Sequence, residues 1–171
     1  FGSTDWMRGL LDANQVAGPA YFGNTAHKEG DMVSFVRDDL ADEATWPKAD
    51  IDAVVVAMAA EAGRPVPAEL AGRVEKGREL VAASDRCGAC HRFRDNGTDL
   101  GAAPDLTGWG GRDWLVGIIA DPTHERFYGD TNDRMPSFGK AAEGALPPLS
   151  REQIALLADW LRGEWYRPAH H

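Results

Sequence analysis

The chain of 171 residues lacks a long apolar run, an alternating apolar–polar pattern and a signal peptide, and it has few cysteines. Its longest fully apolar run, residues 53–60, is too short to span a bilayer. No alternation of apolar and polar residues is long enough to predict a sheet. No signal peptide is present, so we expect that it was removed or lies upstream. Only two cysteines occur in the chain.

Basic residues are also scarce, and the formal net charge is -9. Residues 1–62 carry 11 acidic and 4 basic side chains, whereas residues 63–171 carry 16 and 14. This balance excludes a nucleic-acid-binding surface, which requires a basic face. The acidity of the first segment can steer a basic partner protein or simply keep the chain soluble, and both interpretations stay open.

The two cysteines stand in Cys87-Gly88-Ala89-Cys90-His91, which has the C-x-x-C-H pattern of covalent c-type haem attachment. In this pattern the cysteines form thioethers with the two vinyl groups, and the histidine becomes the proximal ligand of the iron. No further cysteine exists that would need another explanation. The sequence therefore predicts one haem c, bound through Cys87 and Cys90 and ligated by His91.

Three other interpretations of the cysteine pair have less support. A thioredoxin-like pair would follow a strand in a βαβ pattern, which the surrounding sequence lacks. A zinc site would need further ligands at close spacing, such as a second C-x-x-C. A disulfide across two residues would leave His91 unexplained.

The distal ligand of such a haem is predicted to be Met135. It is followed by Pro136 in a stretch rich in Asp and Gly, which suits a loop that brings a thioether to the iron. Taken alone, a methionine is more often a core residue, but a bound haem reverses that balance. The competing ligands are His124, expected at the surface, and Met58, expected in the core.

Apolar residues at helical spacing indicate an all-α fold. One predicted helix stops where Pro122 disfavours helix in the preceding residue. Another begins with a capping box formed by Ser150 and Gln153 and stops at Gly163. The predicted helices span residues 68–83, 112–120 and 151–162.

Residues 68–165 resemble a class I c-type cytochrome in the haem motif, the segment Ala103 to Trp109, Met135-Pro136 and the flanking helices. The resemblance implies that the carbonyl of Pro104 accepts the N–H of the proximal histidine. It also implies that Trp109 forms part of the haem pocket wall, near a propionate.

Two further expectations follow from the same resemblance. The first and last helices of the family cross near a small residue, which implicates Gly77 and Trp160. Three arginines flank the haem motif and could balance the propionates, face an acidic partner or simply be solvated. These arginines are Arg86, Arg92 and Arg94.

The first 62 residues lack a haem motif but repeat the second half of the haem domain in the same order. We interpret this as a duplicated cytochrome c unit. A half unit occupies residues 1–62, a linker residues 63–67, and a whole unit residues 68–171. The matched pairs are 1–11 with 109–119, 21–25 with 127–131, 31–35 with 134–138, and 51–58 with 154–161.

Within this repeat, Met32 corresponds to Met135, but Val33 replaces the proline and no C-x-x-C-H precedes it. We therefore expect no second haem in residues 1–62. Half a cytochrome fold cannot bury its apolar face alone. The segment must pack on residues 68–171, pair with another copy, or combine with a missing N-terminal half.

The segments of this chain that match the patterns Trp-Leu-x-Gly-Leu-Leu, Tyr-Phe-Gly-x-Thr and Met-Pro-x-Phe resemble the tandem cytochrome c portions of bacterial bc-type quinol–cytochrome c oxidoreductase complexes. This resemblance implies a one-electron carrier of a quinol-to-oxidase respiratory chain rather than an enzyme. Implied partners are a Rieske or quinol-oxidising centre, a soluble cytochrome or a terminal oxidase. The implied location is the periplasm, with membrane association only through absent segments or a partner complex.

Two alternatives belong to other functional classes. A haem peroxidase or small-molecule reductase would need a labile distal ligand, against which Met135 argues. In a docking module, residues 1–62 would be the functional surface and the haem domain only a passenger.

Overall fold

A computed structural model describes residues 2–97, 100, 103–141 and 144–164. This part of the chain is helical and contains no strand beyond an isolated bridge between Phe93 and Asn96, so the predicted all-α class is confirmed. Residue 1 of the predicted repeat and residues 165–171 of the predicted haem domain lie outside the described residues. The α-helices are α1 (Thr4–Leu10), α2 (Asp31–Ser34), α3 (Lys48–Glu61), α4 (Ala71–Ala82), α5 (Arg112–Ala120) and α6 (Arg151–Arg162).

Shorter helical turns complete the architecture. A π-helical turn, Phe35–Asp39, continues α2. Single 3₁₀ turns occur at Ala26–Glu29, Ala68–Leu70, Cys87–Ala89 and Gly129–Thr131.

In the ranges that the structure describes, no helix is both long and apolar enough to cross a bilayer.

The ends of α6 follow from local chemistry. The Ser150 hydroxyl accepts the N–H of Gln153 at 3.3 Å, and the Gln153 side chain accepts the N–H of Ser150 at 2.8 Å. This is the predicted capping box, which satisfies two N–H groups that have no partner within the helix. At the other end, Gly163 has a φ of 71°, a left-handed conformation that glycine adopts without strain.

Helix α3 forms the centre of the core. Its residues 53–59 are all buried, because small Ala and Val side chains cover every side of the helix and allow neighbours to approach all round. Its main partner is α4. A Cβ atom at Gly77 of α4 would overlap the carbonyl of Ala53 and lie 2.6 Å from the Cβ of Ala57. Only glycine permits this approach.

The predicted crossing of α4 with α6 is therefore wrong. Gly77 packs on α3, and Trp160 of α6 is 57% exposed. In the alignment of the predicted repeat, Leu156 and Trp160 of α6 correspond to Ala53 and Ala57 of α3. Two alanines let a backbone approach closely, whereas a leucine and a tryptophan hold it away.

Residues 1–62 and residues 68–164 share one hydrophobic core. The ring of Trp6 lies 5.7 Å from that of Trp109, and Trp109 lies 6.1 Å from Trp114. The first segment thus covers its apolar face by packing on the rest of the same chain. Its origin as a duplicated half unit stays a prediction.

A buried arginine also joins the segments. Arg162 at the end of α6 is 8% exposed and donates to the carbonyls of Ala62 at 2.6 Å and Gly110 at 2.9 Å. Its guanidinium also pairs with Glu164 at 3.0 Å. A buried charge is tolerated only with such partners, so this side chain fixes the ends of α3 and α6 together.

Candidate haem site

The C-x-x-C-H motif lies in a compact turn that follows α4. The N–H of His91 donates to the carbonyl of Cys87 at 2.9 Å, which closes the turn. Gly88 fits beneath the end of α4, where a Cβ atom would lie 2.6 Å from the carbonyl of Ala82. Because glycine stands there, the turn lies directly against the helix that precedes it.

Both cysteines are free thiols, with Cys87 half-buried and Cys90 exposed. Burial raises the pKa of the Cys87 thiol to about 11, so it remains protonated at neutral pH when no haem is attached. No disulfide joins the pair, and both sulfur atoms remain available for thioether bonds.

His91 is oriented by the residue that the resemblance implicates. Its Nδ1 lies 2.8 Å from the carbonyl oxygen of Pro104. A carbonyl only accepts, so Nδ1 carries the hydrogen and Nε2 keeps a free electron pair. Burial lowers the pKa of His91, while the bond to Pro104 opposes this shift. A neutral imidazole with a free Nε2 is the form that binds iron.

The segments on either side of the motif are anchored by the first 62 residues. Arg86 donates to the carbonyl of Thr45 at 2.8 Å, and its guanidinium lies 4.6 Å from the ring centre of Trp46. After the motif, Glu61 at the end of α3 pairs with Arg94 at 3.1 Å. The sequence alone leaves open whether these arginines balance the propionates, face an acidic partner or are solvated, because side-chain partners so distant in sequence leave no periodic signal.

The same glutamate reaches the loop that leads to α5. Glu61 accepts the N–H of Gly108 at 2.8 Å, and Thr107 accepts the N–H of Arg94 at 2.6 Å. Arg94 has a φ of 56°, a left-handed conformation that is uncommon for a residue other than glycine. These bonds hold the turn after His91 in place.

A cleft of about 580 Å³ lies beside this turn, and its charged lining residues are Arg92, Arg94, Arg126, Asp95 and Asp105. The Nε atom of Arg126 is buried without a hydrogen-bond partner, although it lies 3.5 Å from a carboxylate oxygen of Asp105. Arg94 is paired with Glu61 and Arg126 with Asp105, so positive and negative side chains both line this cleft. The propionate role that the sequence leaves open for the flanking arginines stays a prediction.

The candidate distal ligands occupy different settings. Met135 is partly buried in a loop, and its carbonyl accepts the side-chain N–H of Asn132 at 2.9 Å. Met32 is also partly buried, but it lies within α2. Met58 is 2% exposed in the core, and His124 is exposed, as expected for both.

Trp109 lies in the aromatic core. It is 6% exposed, between the rings of Trp6 and Trp114. The role in the haem pocket that the resemblance implies for it stays a prediction. Sequence periodicity does not predict Trp6 as its neighbour, because the two residues lie about a hundred positions apart in the chain.

A zinc site finds no support in the described ranges, where no group of three or more His, Cys, Asp or Glu side chains could hold a metal ion. The donor set fits a haem instead. It offers two thiols with two residues between them, followed by an imidazole whose Nδ1 is already bonded to the Pro104 carbonyl.

A family model described as cytochrome c matches residues 74–165. The chain belongs to the cytochrome c family. It therefore binds haem c covalently through its two cysteines, Cys87 and Cys90, and functions in haem-based electron transfer with redox partner proteins. No curated protein and no solved structure matched the chain. The resemblance to bc-type complexes stays a prediction.

Proposed function

We propose that this cytochrome carries single electrons on one low-spin haem c, ligated by His91 and Met135, in a quinol-to-oxidase respiratory chain. The observation that carries the proposal is the contact of 2.8 Å between His91 Nδ1 and the Pro104 carbonyl. It leaves Nε2 as the only ring nitrogen free for iron. When bound, the haem supplies a one-electron ferric–ferrous couple.

The protein's contribution is to hold the proximal imidazole in one tautomer and one orientation. The Pro104 carbonyl does both, and it also makes the imidazole a stronger donor through Nε2. The turn that carries His91 is tied to α3 through Glu61 and Arg94. A ligand held in this way keeps its position when the oxidation state changes, which favours rapid electron transfer.

Met135 is the better candidate of the two partly buried methionines. A loop residue can direct its side chain without breaking a helix, whereas Met32 is confined to the geometry of α2. A thioether ligand favours the ferrous state and raises the reduction potential. Ligation by Met135 would also leave no open iron position, which argues against a peroxidase or a small-molecule reductase.

The acidic residues of the first 62 positions favour a basic partner surface. We place the protein in the periplasm, where a Rieske or quinol-oxidising centre donates electrons. A soluble cytochrome or a terminal oxidase then accepts them.

The ligand assignment is tested by redox titration of Met135→His. The midpoint potential should fall by on the order of 0.1 V or more, within the roughly 0.8 V range that axial ligands span. Met32→His is the matched control and should keep the wild-type potential. A fall in Met32→His with no change in Met135→His would transfer the distal role to Met32.

The respiratory role is tested separately, with a purified bc-type complex and a quinol as electron source. Reduction of this cytochrome by the complex, slowed by high salt, is the expected result. If the complex does not reduce it and the protein instead turns over hydrogen peroxide, the enzymatic alternative is correct.

A further inference from the structure

The loop that carries Met135 is held by a short segment from the other half of the molecule. The N–H of Ala26 donates to a carboxylate oxygen of Asp133 at 2.9 Å. His27 Nε2 lies 3.0 Å from the carbonyl of Thr131, and since a carbonyl only accepts, Nε2 is the donor. These contacts reach the loop two and four residues before Met135.

Ring packing adds to these hydrogen bonds. The ring of His27 stacks on that of Tyr128 with an interplanar angle of 17° and a centroid distance of 6.2 Å. Tyr128 immediately precedes the 3₁₀ turn Gly129–Thr131, from which the loop continues to Met135. The segment thus contacts Tyr128, Thr131 and Asp133, which all precede Met135 in the chain.

The holding segment is itself well defined. Thr25 caps the turn Ala26–Glu29 by accepting the N–H of His27 at 3.1 Å, and it also donates to the carbonyl of Phe22 at 2.8 Å. Ala26 and His27 therefore present their donors from a folded turn rather than from a free chain. Less conformational entropy is lost when they bind the loop.

We propose that Ala26 and His27, here named the 26–27 clamp, are positioning residues that keep Met135 on the iron. The proposal rests on Met135 ligation, as argued above. Between Asn132 and Phe138 the loop has no helical or strand hydrogen bonds of its own. Its closed state therefore depends on a few single contacts. These are the bond of Asn132 to the Met135 carbonyl, the bond of Ser137 to Asp121 and the contacts of the clamp. Residues 1–62 then act as part of the haem site, not as a separate docking module.

The consequence is measurable with imidazole, which binds ferric haem only when Met135 has left the iron. Its apparent affinity is scaled by the fraction of molecules in the open state, so a weaker clamp gives tighter imidazole binding. The loss of one partly exposed hydrogen bond should raise the fraction of molecules in the open state roughly threefold.

Two variants remove the clamp in different ways. His27→Ala deletes the donor to Thr131 and the ring contact with Tyr128, and should raise imidazole affinity by roughly threefold to tenfold. Ala26→Pro deletes only the N–H that binds Asp133 and should raise it by roughly threefold. Proline suits this site, because Ala26 is the first residue of its turn and Thr25 before it is extended, with a ψ of 164°.

Two further variants serve as controls. His27→Gln keeps a donor near the position of Nε2 and should restore most of the wild-type affinity. Lys28→Ala changes an exposed neighbour in the same turn and should leave the affinity unchanged. The far-red absorption band of ferric iron–methionine ligation should weaken in step with the rise in imidazole affinity.

The proposal is wrong if His27→Ala and Ala26→Pro bind imidazole as wild type does while the methionine band persists. It is also wrong if both variants lower the free energy of unfolding without changing imidazole binding, since the clamp would then be purely structural. A failure of the proposed ligation looks different. The wild type itself would lack the methionine band, and Met135→Leu would not alter imidazole binding, which would overturn the clamp as well.

Discussion

The packing of α3 on α4 predicts a large effect of adding one methyl group at Gly77. In an isolated helix, alanine is favoured over glycine by about 1 kcal/mol. In Gly77→Ala, however, the new Cβ would overlap the carbonyl of Ala53 and lie 2.6 Å from the Cβ of Ala57. A backbone carbonyl cannot rotate away, so the helices must separate, at a cost near the upper end of the 1–3 kcal/mol typical of overpacked cores.

The net expectation is a loss of about 2 kcal/mol in the free energy of unfolding. Urea unfolding followed by circular dichroism measures this loss as a fall in the midpoint of about 1 M, for a slope near 2 kcal/mol per molar urea. Gly72→Ala in the same helix is the matched control, because nothing lies within 4 Å of its Cβ position. It should leave stability equal or raise it by up to about 1 kcal/mol. If Gly77→Ala were as stable as Gly72→Ala, α4 would not pack on α3 as described.

Three further predictions concern α6 and its neighbours. Trp160→Ala should change the free energy of unfolding by no more than about 0.5 kcal/mol, because the side chain is 57% exposed. A loss of several kcal/mol would mean that another helix covers this face of α6. Arg162→Met should lower the free energy of unfolding by about 3 kcal/mol in urea, because two backbone carbonyls lose a buried charged donor. An unchanged stability would contradict the role of Arg162 as their hydrogen-bond donor. The hydrogen bond from Arg112 lowers the pKa of Asp159 below its usual 3.8, so the unfolded state binds the proton more readily. The stability from this pair is thus complete above about pH 4 and is lost as the pH falls further, and Asp159→Asn should flatten that part of the stability–pH curve.

Local features of the fold were predictable because they depend on residues close in sequence. The capping box of Ser150 and Gln153 and the stop at Gly163 are set by backbone groups within one turn of the helix end. The contact between His91 and Pro104 was predictable for another reason, since a family resemblance supplied it.

Long-range packing was not predictable from the same patterns. Periodicity shows which face of α4 is apolar, but it does not say whether α3 or α6 covers that face. The choice follows from side-chain size, since Ala53 and Ala57 admit the backbone at Gly77 more closely than a leucine and a tryptophan would. The contacts of His27 with the Met135 loop are likewise invisible in sequence, because they join segments about a hundred residues apart.

A single low-spin haem c with methionine as its distal ligand has a characteristic absorption spectrum. Spectra of the oxidised and reduced protein, together with a pyridine haemochrome assay of haem per chain, are therefore the decisive measurement. We expect one covalent haem with low-spin features and the weak far-red band of ferric iron–methionine ligation. One haem with high-spin features and no such band would contradict the ligation by Met135, and two haems per chain would contradict the haem-less assignment of residues 1–62.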